Sequence, residues 1–199
     1  MKGPSLVLAS SSPRRRELLD QLGVSYLVDP AAIDESRHDH EAPGDYVLRM
    51  AREKAVAVAA RLPDGDQIVL AADTAVQLGS DVLGKPRDHF DGLAMLALLS
   101  GRTHSVLTAV SLHSSAGISS ELVETRVEFI QLSQATCEAY LATDEPWDKA
   151  GAYAIQGMAG AFVRSIQGSY SNVVGLPLCE TWQLLQAHGV GTMLARADK

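Results

Sequence analysis

Leu6 to Ala9 form a short apolar run that reads as a strand end, Ser10 to Ser12 as a turn and helix cap, and Pro13 as the first helical residue. Leu18, Leu19 and Leu22 then recur at helical spacing and supply a buried stripe, which Gly23 closes. A second short strand is predicted near "SYLV", and the polar, Pro-containing "DPAAIDESRHDHEAPGD" after it reads as loop. From about Asp45 to Leu62 the spacing predicts a helix, with Val47, Met50, Ala51 and Val58 on one face. "QIVLAAD" is a continuous apolar run ended by an acid, the pattern of a central strand buried on both faces. "TAVQLGSDVLGKP" continues it as a strand, a "GSD" turn and a short return strand.

The second half mixes elements in the same way. "GLAMLALLSG" predicts an apolar helix ended by Gly101, and "HSVLTAVSLH" and "ELVETRVEFIQL" predict strands. In the latter, Val123, Thr125, Val127 and Phe129 alternate with charged neighbours. "SQATCEAYLAT" reads as a helix capped by Ser133, "AFVRSIQGS" as a strand, and "LPLCETWQLLQAHG" as a closing helix with Pro177 near its start. Between them "EPWDKAGAYAIQG" reads as a loop that Trp147, Tyr153 and Ile155 could anchor. Hairpins beside crossovers imply an α/β fold with a mixed central sheet and flanking helices.

Length adds that this is one domain, residues 1–199, with a core expected to form two lobes around a cleft. Charge adds more. Seventeen basic against 24 acidic residues give a net charge of −7, which argues against general nucleic-acid affinity. An anion must then be bound locally, by a few placed cations. Cys137 and Cys179 lie far apart without a CxxC neighbour, as in a reducing compartment. No secretory segment or membrane-length apolar run is visible, so a cytoplasmic location without membrane contact is expected.

Against that background several residues stand out. Arg14, Arg15 and Arg16 load cations onto a helix start, where the macrodipole favours acids. A phosphate beyond the strand–turn–helix corner would make both terms favourable; the other reading is a solvated helix turn, and Arg16 is expected to face solvent. Lys54 interrupts the apolar stripe Val47–Val58, either snorkelling to water or projecting into an anion-lined cleft. Asp73 closes an apolar run, near where a buried strand becomes accessible; it suits a catalytic carboxylate or a turn cap. Lys85 after the return strand either folds back beside Asp73 or is a surface lysine.

Glu35 lies in a polar loop, where most acids are merely solvated; facing Asp73, it would complete a pair suited to Mg²⁺. "HDHE", His38 to Glu41, lacks the further spaced ligands that zinc needs. Gln156 offers one acceptor and two donors, which match a uracil or thymine edge as well as the loop's own backbone.

Together "LASSSPRRRELL", "YVLRMAREKA", "AADTAVQLGSDVLGKP", "LSGRTHSVLTAV" and "EPWDKAGAYAIQG…GSYSNVVGLPLCET" resemble, in order and approximate spacing, the Maf family of nucleoside triphosphate pyrophosphatases. The resemblance covers nearly the whole chain. It implies an α/β fold with a cleft between two lobes, similar to that of inosine triphosphate pyrophosphatases. It also implies hydrolysis of a nucleoside triphosphate to the monophosphate and pyrophosphate with a divalent cation, Mg²⁺ or Mn²⁺. Asp73 looks like the family's general base, Lys54 and Lys85 like the lysines that neutralise the triphosphate, and Ser10, Arg14 and Arg15 like phosphate-loop residues. Glu35, with Asp73, resembles the acidic pair that places the metal. Arg14, Thr74 and Gln156 fall at positions associated with base choice.

"DKAGAYAIQG" looks like the subgroup acting on dTTP and UTP; the 7-methyl-GTP subgroup has a glutamate where Gln156 stands. The expected partner is a small-molecule nucleotide, with a homodimer as a candidate assembly. The rival readings are a pyrophosphatase of purine or 7-methyl-GTP specificity and a nucleotide-binding regulator of cell division.

Overall fold

The computed structural model describes residues 5–63 and 67–195; the extreme ends of the expected 1–199 domain lie outside the described residues. Two compact units emerge. The first takes the chain up to Asp73, then Thr108–Val123 and the part from Gly175 onward; the second takes Thr74–Leu107 and Glu124–Val174. Among the described residues the sheet has seven strands, in the order β2-β1-β3-β5-β6-β7 with β4 paired to β3.

In the first unit, β1 (Ser5–Leu8) runs parallel to β2 (Tyr26–Val28) on one side and to β3 (Gln67–Leu78) on the other. Parallel neighbours need crossovers, and helices α1 (Pro13–Asp20) and α2 (Pro43–Ala59) provide them. Ser12 caps α1, its hydroxyl accepting from the Arg15 amide, with Pro13 at the first helical position. Leu18, Leu19 and Leu22 are buried, and Gly23 turns the chain at φ +63°. Helix α2 starts at Pro43 rather than Asp45 because proline is pre-set for a first turn. It ends at Ala59 rather than Leu62, since Arg61 and Leu62 already close tighter bonds to Val58 and Ala59 carbonyls. Ala55 and Val58 of α2 pack with Val7, Ala9, Val69 and Ala71 of the strands. Helix α6 (Leu178–Ala187) belongs to this unit, with Pro177 at its cap position.

The second unit opens with the rest of β3, the Gly79–Ser80 turn and β4 (Asp81–Leu83), as the turn residues predict. Helix α3 (His89–Leu99) begins before the expected Gly92, because Asp88 caps it by accepting from the Asp91 amide at 2.8 Å. Of strands β5 (Thr103–Ser114) and β6 (Gly117–Phe129) this unit holds the parts up to Leu107 and from Glu124, and the predicted alternation holds in β6, where Thr125, Val127 and Phe129 are buried. Helix α4 (Gln134–Leu141), capped by Ser133, packs on α3 so closely that a Cβ at Gly92 would sit 2.8 Å from Leu141. A 3-10 turn at Met158–Phe162 delays β7 until Val163–Gln167, and a short helix α5 (Tyr170–Val174) was not predicted. The core of this unit joins Leu96, Leu99, Val127, Leu141 and an edge-to-face cluster of His104, Phe129, Tyr153 and Phe162. No helix among the described residues is long and apolar enough to cross a membrane.

Candidate active site

Lys54 is the anomaly that the fold resolves first. It projects from the buried face of α2 and is only 8% exposed, among Val47, Met50, Ala51 and Val58. Rather than snorkelling, its ammonium meets two carboxylates: Asp73 Oδ1 at 2.7 Å and Glu35 Oε1 at 2.8 Å. Asp73 is as buried as the lysine, while half of the Glu35 side chain remains open. A buried ammonium is tolerable only when opposite charge and hydrogen bonds replace its water, and these two acids do so.

Asp73 is buried, not near a point where its strand becomes accessible, as the apolar run suggested. It lies within β3, which continues to Leu78 because Ala75 and Val76 extend the buried pattern. The strand that ends here is β1: its register with β3 stops at Leu8 opposite Leu70, and the chain then turns into α1. After Pro13, the first residues of that helix are the arginines. Arg15 donates from Nε to the Gly175 carbonyl at 2.8 Å and from Nη1 to Ser10 Oγ at 3.4 Å, and Ser10 Oγ also accepts from the Ser12 amide. Burial pulls the Arg15 pKa below its ordinary value, Asp73 raises it, the neighbouring Arg14 lowers it and Glu35 raises it again. Arg15 therefore lies in the field of both carboxylates. Arg14 is half-buried, and Arg16 is exposed as expected.

The loop bearing Glu35 is tied to α2 by residues that the sequence pattern did not single out. Tyr46 donates its hydroxyl to the Glu35 carbonyl at 2.9 Å, and Arg49 donates to the Ser36 carbonyl at 2.9 Å. Arg49 also grips both Glu41 oxygens, at 2.6 and 2.8 Å, which holds the Glu41 carboxyl down at about 2. Burial raises the Tyr46 pKa, and the negative charges of Asp73 and Glu35 add to that shift. The detectable signal was a polar edge beside the apolar stripe, Tyr46 and Arg49 one helical turn apart. Within "HDHE", Glu41 is committed to Arg49, and the His38 amide donates to it as well.

Ser10, Arg14, Arg15, Glu35, Lys54 and Asp73 thus belong to the first unit, whereas Thr74, Lys85 and Gln156 belong to the second. Thr74 follows Asp73 directly in β3 and is half-buried; Lys85 is exposed after β4; Gln156 is exposed in a tight turn between Ala154 and the Met158–Phe162 segment.

The arrangement in the first unit can bind and polarise a phosphate-bearing ligand. Two carboxylate oxygens converge on one cationic point, now the Lys54 ammonium, beside the Arg15 guanidinium. Hard oxygen donors so placed fit Mg²⁺ or Mn²⁺. No group of three or more His, Cys, Asp or Glu side chains capable of holding a metal gathers among the described residues. A pair of acids is the donor set expected where substrate phosphates and water complete the coordination.

The model of the family described as Maf-like protein matches residues 5–188. The dTTP/UTP pyrophosphatase of Anaeromyxobacter sp. (strain Fw109-5) is 57% identical over 189 residues, covering 92% of this chain and 89% of that protein. The dTTP/UTP pyrophosphatase of Hahella chejuensis is 52% identical over 186 residues, covering 93% and 92%. Among solved structures, the Staphylococcus aureus Ham1 protein aligns over 92% of this chain and 98% of that one, at 12% identity and a TM-score of 0.47.

Proposed function

Because the chain belongs to the Maf family, we propose that it hydrolyses dTTP and UTP to the monophosphate and pyrophosphate. The observation that carries the reading is the buried Lys54 ammonium held between Asp73 and Glu35, with Arg15 in their field. Relatives at this identity, named for dTTP and UTP, support the substrate class and favour neither the division regulator nor a 7-methyl-GTP enzyme.

In this reading Asp73 is the general base. Lys54 holds the Asp73 carboxylate in place, and that carboxylate takes the proton from a water attacking the α-phosphorus in line, with pyrophosphate leaving. Ser10, before α1, and Arg14 and Arg15, in its first turn, take up phosphate oxygens, and Lys54 and Lys85 neutralise the triphosphate. Such placement matters more than covalent help, because in-line displacement is driven by charge neutralisation and positioning. Glu35 and Asp73 would hold the Mg²⁺ or Mn²⁺ ion, which when bound neutralises phosphate charge and lowers the pKa of its water. Arg14, Thr74 and Gln156 select the base, the Gln156 amide matching the N3–H and a carbonyl of uracil or thymine. Cys137 and Cys179 are unpaired thiols, one buried and one exposed, which supports a reducing, cytoplasmic compartment.

The experiment is pyrophosphate release from a panel of canonical and modified nucleoside triphosphates, with Mg²⁺ or Mn²⁺, beside Asp73→Asn. The expected result is turnover of dTTP and UTP that falls by at least about 10²-fold in the variant, with nucleotide binding retained. Full turnover by Asp73→Asn would remove the base assignment, and binding without turnover by the native protein would remove the enzyme.

A further inference from the structure

Gln156 sits at an exposed turn, where a side chain aimed at a ligand ordinarily wanders. The backbone on either side of it is nevertheless pinned. Two residues before it, the Ala154 amide donates to the Tyr140 hydroxyl at 3.2 Å. Two residues after it, the Met158 amide donates to Glu145 Oε2 at 2.9 Å, and the Ala159 amide to Glu145 Oε1 at 3.3 Å. The two anchors are themselves joined, since Tyr140 donates its hydroxyl to Glu145 Oε1 at 2.9 Å. Tyr140 is 4% exposed and stacks edge-on against Phe162, so this frame rests on the core of the second unit.

The chain between the anchors has little freedom. The Gly157 amide closes back on the Ala154 carbonyl and the Gly160 amide on the Gly157 carbonyl, at 3.1 and 3.0 Å. A Cβ at Gly157 would collide with the Glu145 carboxylate, and one at Gly160 would lie 2.9 Å from the Ile155 carbonyl oxygen. Gly157 leaves room for the carboxylate to approach the backbone this closely, and Gly160 does the same for the Ile155 carbonyl. Burial would raise the Glu145 pKa, but the Met158 amide, the Tyr140 hydroxyl, the Ala159 amide and the Lys149 charge together bring it below its ordinary value. The acid is therefore an ionised acceptor committed to this turn.

We propose that Glu145, acting with Tyr140, is a positioning residue for base selection: it holds the 154–159 turn so that the Gln156 amide is presented in one orientation to a pyrimidine edge. The inference rests on the reading of Gln156 as a base-selecting residue and assigns its supporting frame. Two hydrogen bonds to a base discriminate well only when the amide bearing them is already oriented, because otherwise its ordering opposes binding of the correct base.

The test is a double-mutant cycle with Glu145→Gln and Gln156→Ala, reading kcat and KM for UTP and CTP. Cytosine presents an acceptor at N3 and a donor at C4, the reverse of uracil. The Glu145→Gln amide can face its NH2 group either way, but one of the Met158 and Ala159 amides then loses its acceptor. The expected result is an about tenfold fall in the UTP/CTP ratio of kcat/KM, carried by KM for UTP with kcat nearly unchanged. In the Gln156→Ala background Glu145→Gln should change that ratio no further. Amide exchange at Met158 and Ala159 should accelerate in Glu145→Gln whether or not nucleotide is present.

An unchanged ratio in Glu145→Gln, when Gln156→Ala alone lowers it, overturns the positioning role and leaves the base-reading role standing. An unchanged ratio in Gln156→Ala overturns both. Equal loss of kcat on every nucleotide would make Glu145 a general structural residue and also overturn the proposal. If Glu145→Gln fails to fold, Tyr140→Phe keeps the ring and removes only the hydroxyl bridge, and the same cycle is read with it.

Discussion

In Lys54 stability and the proposed chemistry meet in one side chain. Its ammonium is the shared partner of Asp73 and Glu35, and with Asp73 it forms an ion pair largely withdrawn from water. Deleting one member of such a set leaves an uncompensated buried charge, a larger penalty than the net worth of the pair. Lys54→Met should therefore abolish turnover and lower stability by roughly 3 kcal/mol, read as a shift in the urea unfolding midpoint. Stability equal to the native protein would mean that Asp73 is not held by Lys54 in solution. That Lys54 was anomalous is legible in the chain, because lysine does not belong on an apolar stripe. Which acids answer it is not, because Glu35 and Asp73 lie 19 residues either side of Lys54 and no local pattern links them.

Helix α2 is the element that assembles this set. It carries Lys54 on its buried face and Tyr46 and Arg49 along the adjoining edge, where they fasten the Glu35 loop to the same rod. Glu41 closes the fastening, and its depressed pKa means that the clasp is complete above its ordinary carboxylate range and is lost as pH falls toward about 2. Tyr46→Phe removes one hydrogen bond to the Glu35 carbonyl, so it should cost about 1 kcal/mol or less in stability. Its kcat/KM should fall severalfold, because Glu35 is then less well placed; steady-state pyrophosphate release beside thermal unfolding separates the two effects. Unchanged kcat/KM would show that Glu35 needs no such tether. The apolar stripe made the helix legible; the tether was not, since Glu41 and Ser36 precede the helix in a loop without periodicity.

At the scale of the whole molecule, stability in acid depends on a buried histidine of the second unit. His104 is 2% exposed in the second unit, with Nε2 2.9 Å from the Tyr153 hydroxyl, and burial brings its pKa down from 6.5 to about 4. Between these values the unfolded chain binds the proton and the folded one does not, so stability rises with pH across this window. The contribution is fully present above pH 6.5 and is lost as pH falls through it toward about 4, amounting to on the order of 3 kcal/mol. His104→Phe should remove this slope from chemical unfolding measured at several pH values, and an unaltered slope would assign it to other groups. Net charge acts at the same scale: at −7 the protein repels anions generally, so in the proposed function binding a triphosphate falls to the few cations placed on α1 and α2.

The order of the strands and of every helix but α5, the caps at Ser12 and Ser133, the turn at Gly79 and the burial of Leu18, Val47 and Val127 all follow from local pattern. Periodicity and capping act over a few residues, so the chain itself determines them, and five sequence blocks in register were enough to mark the family. Tertiary structure alone decided that Asp73 and Glu35 both meet Lys54, that Arg15 reaches the Gly175 carbonyl, and that Glu145 underlies the turn at Gln156. These depend on where β1 stops against β3 and on how closely a carboxylate approaches a glycine. Such distances arise only when segments remote in sequence pack together, because charge and hydrogen bonding act through space and local pattern does not record it.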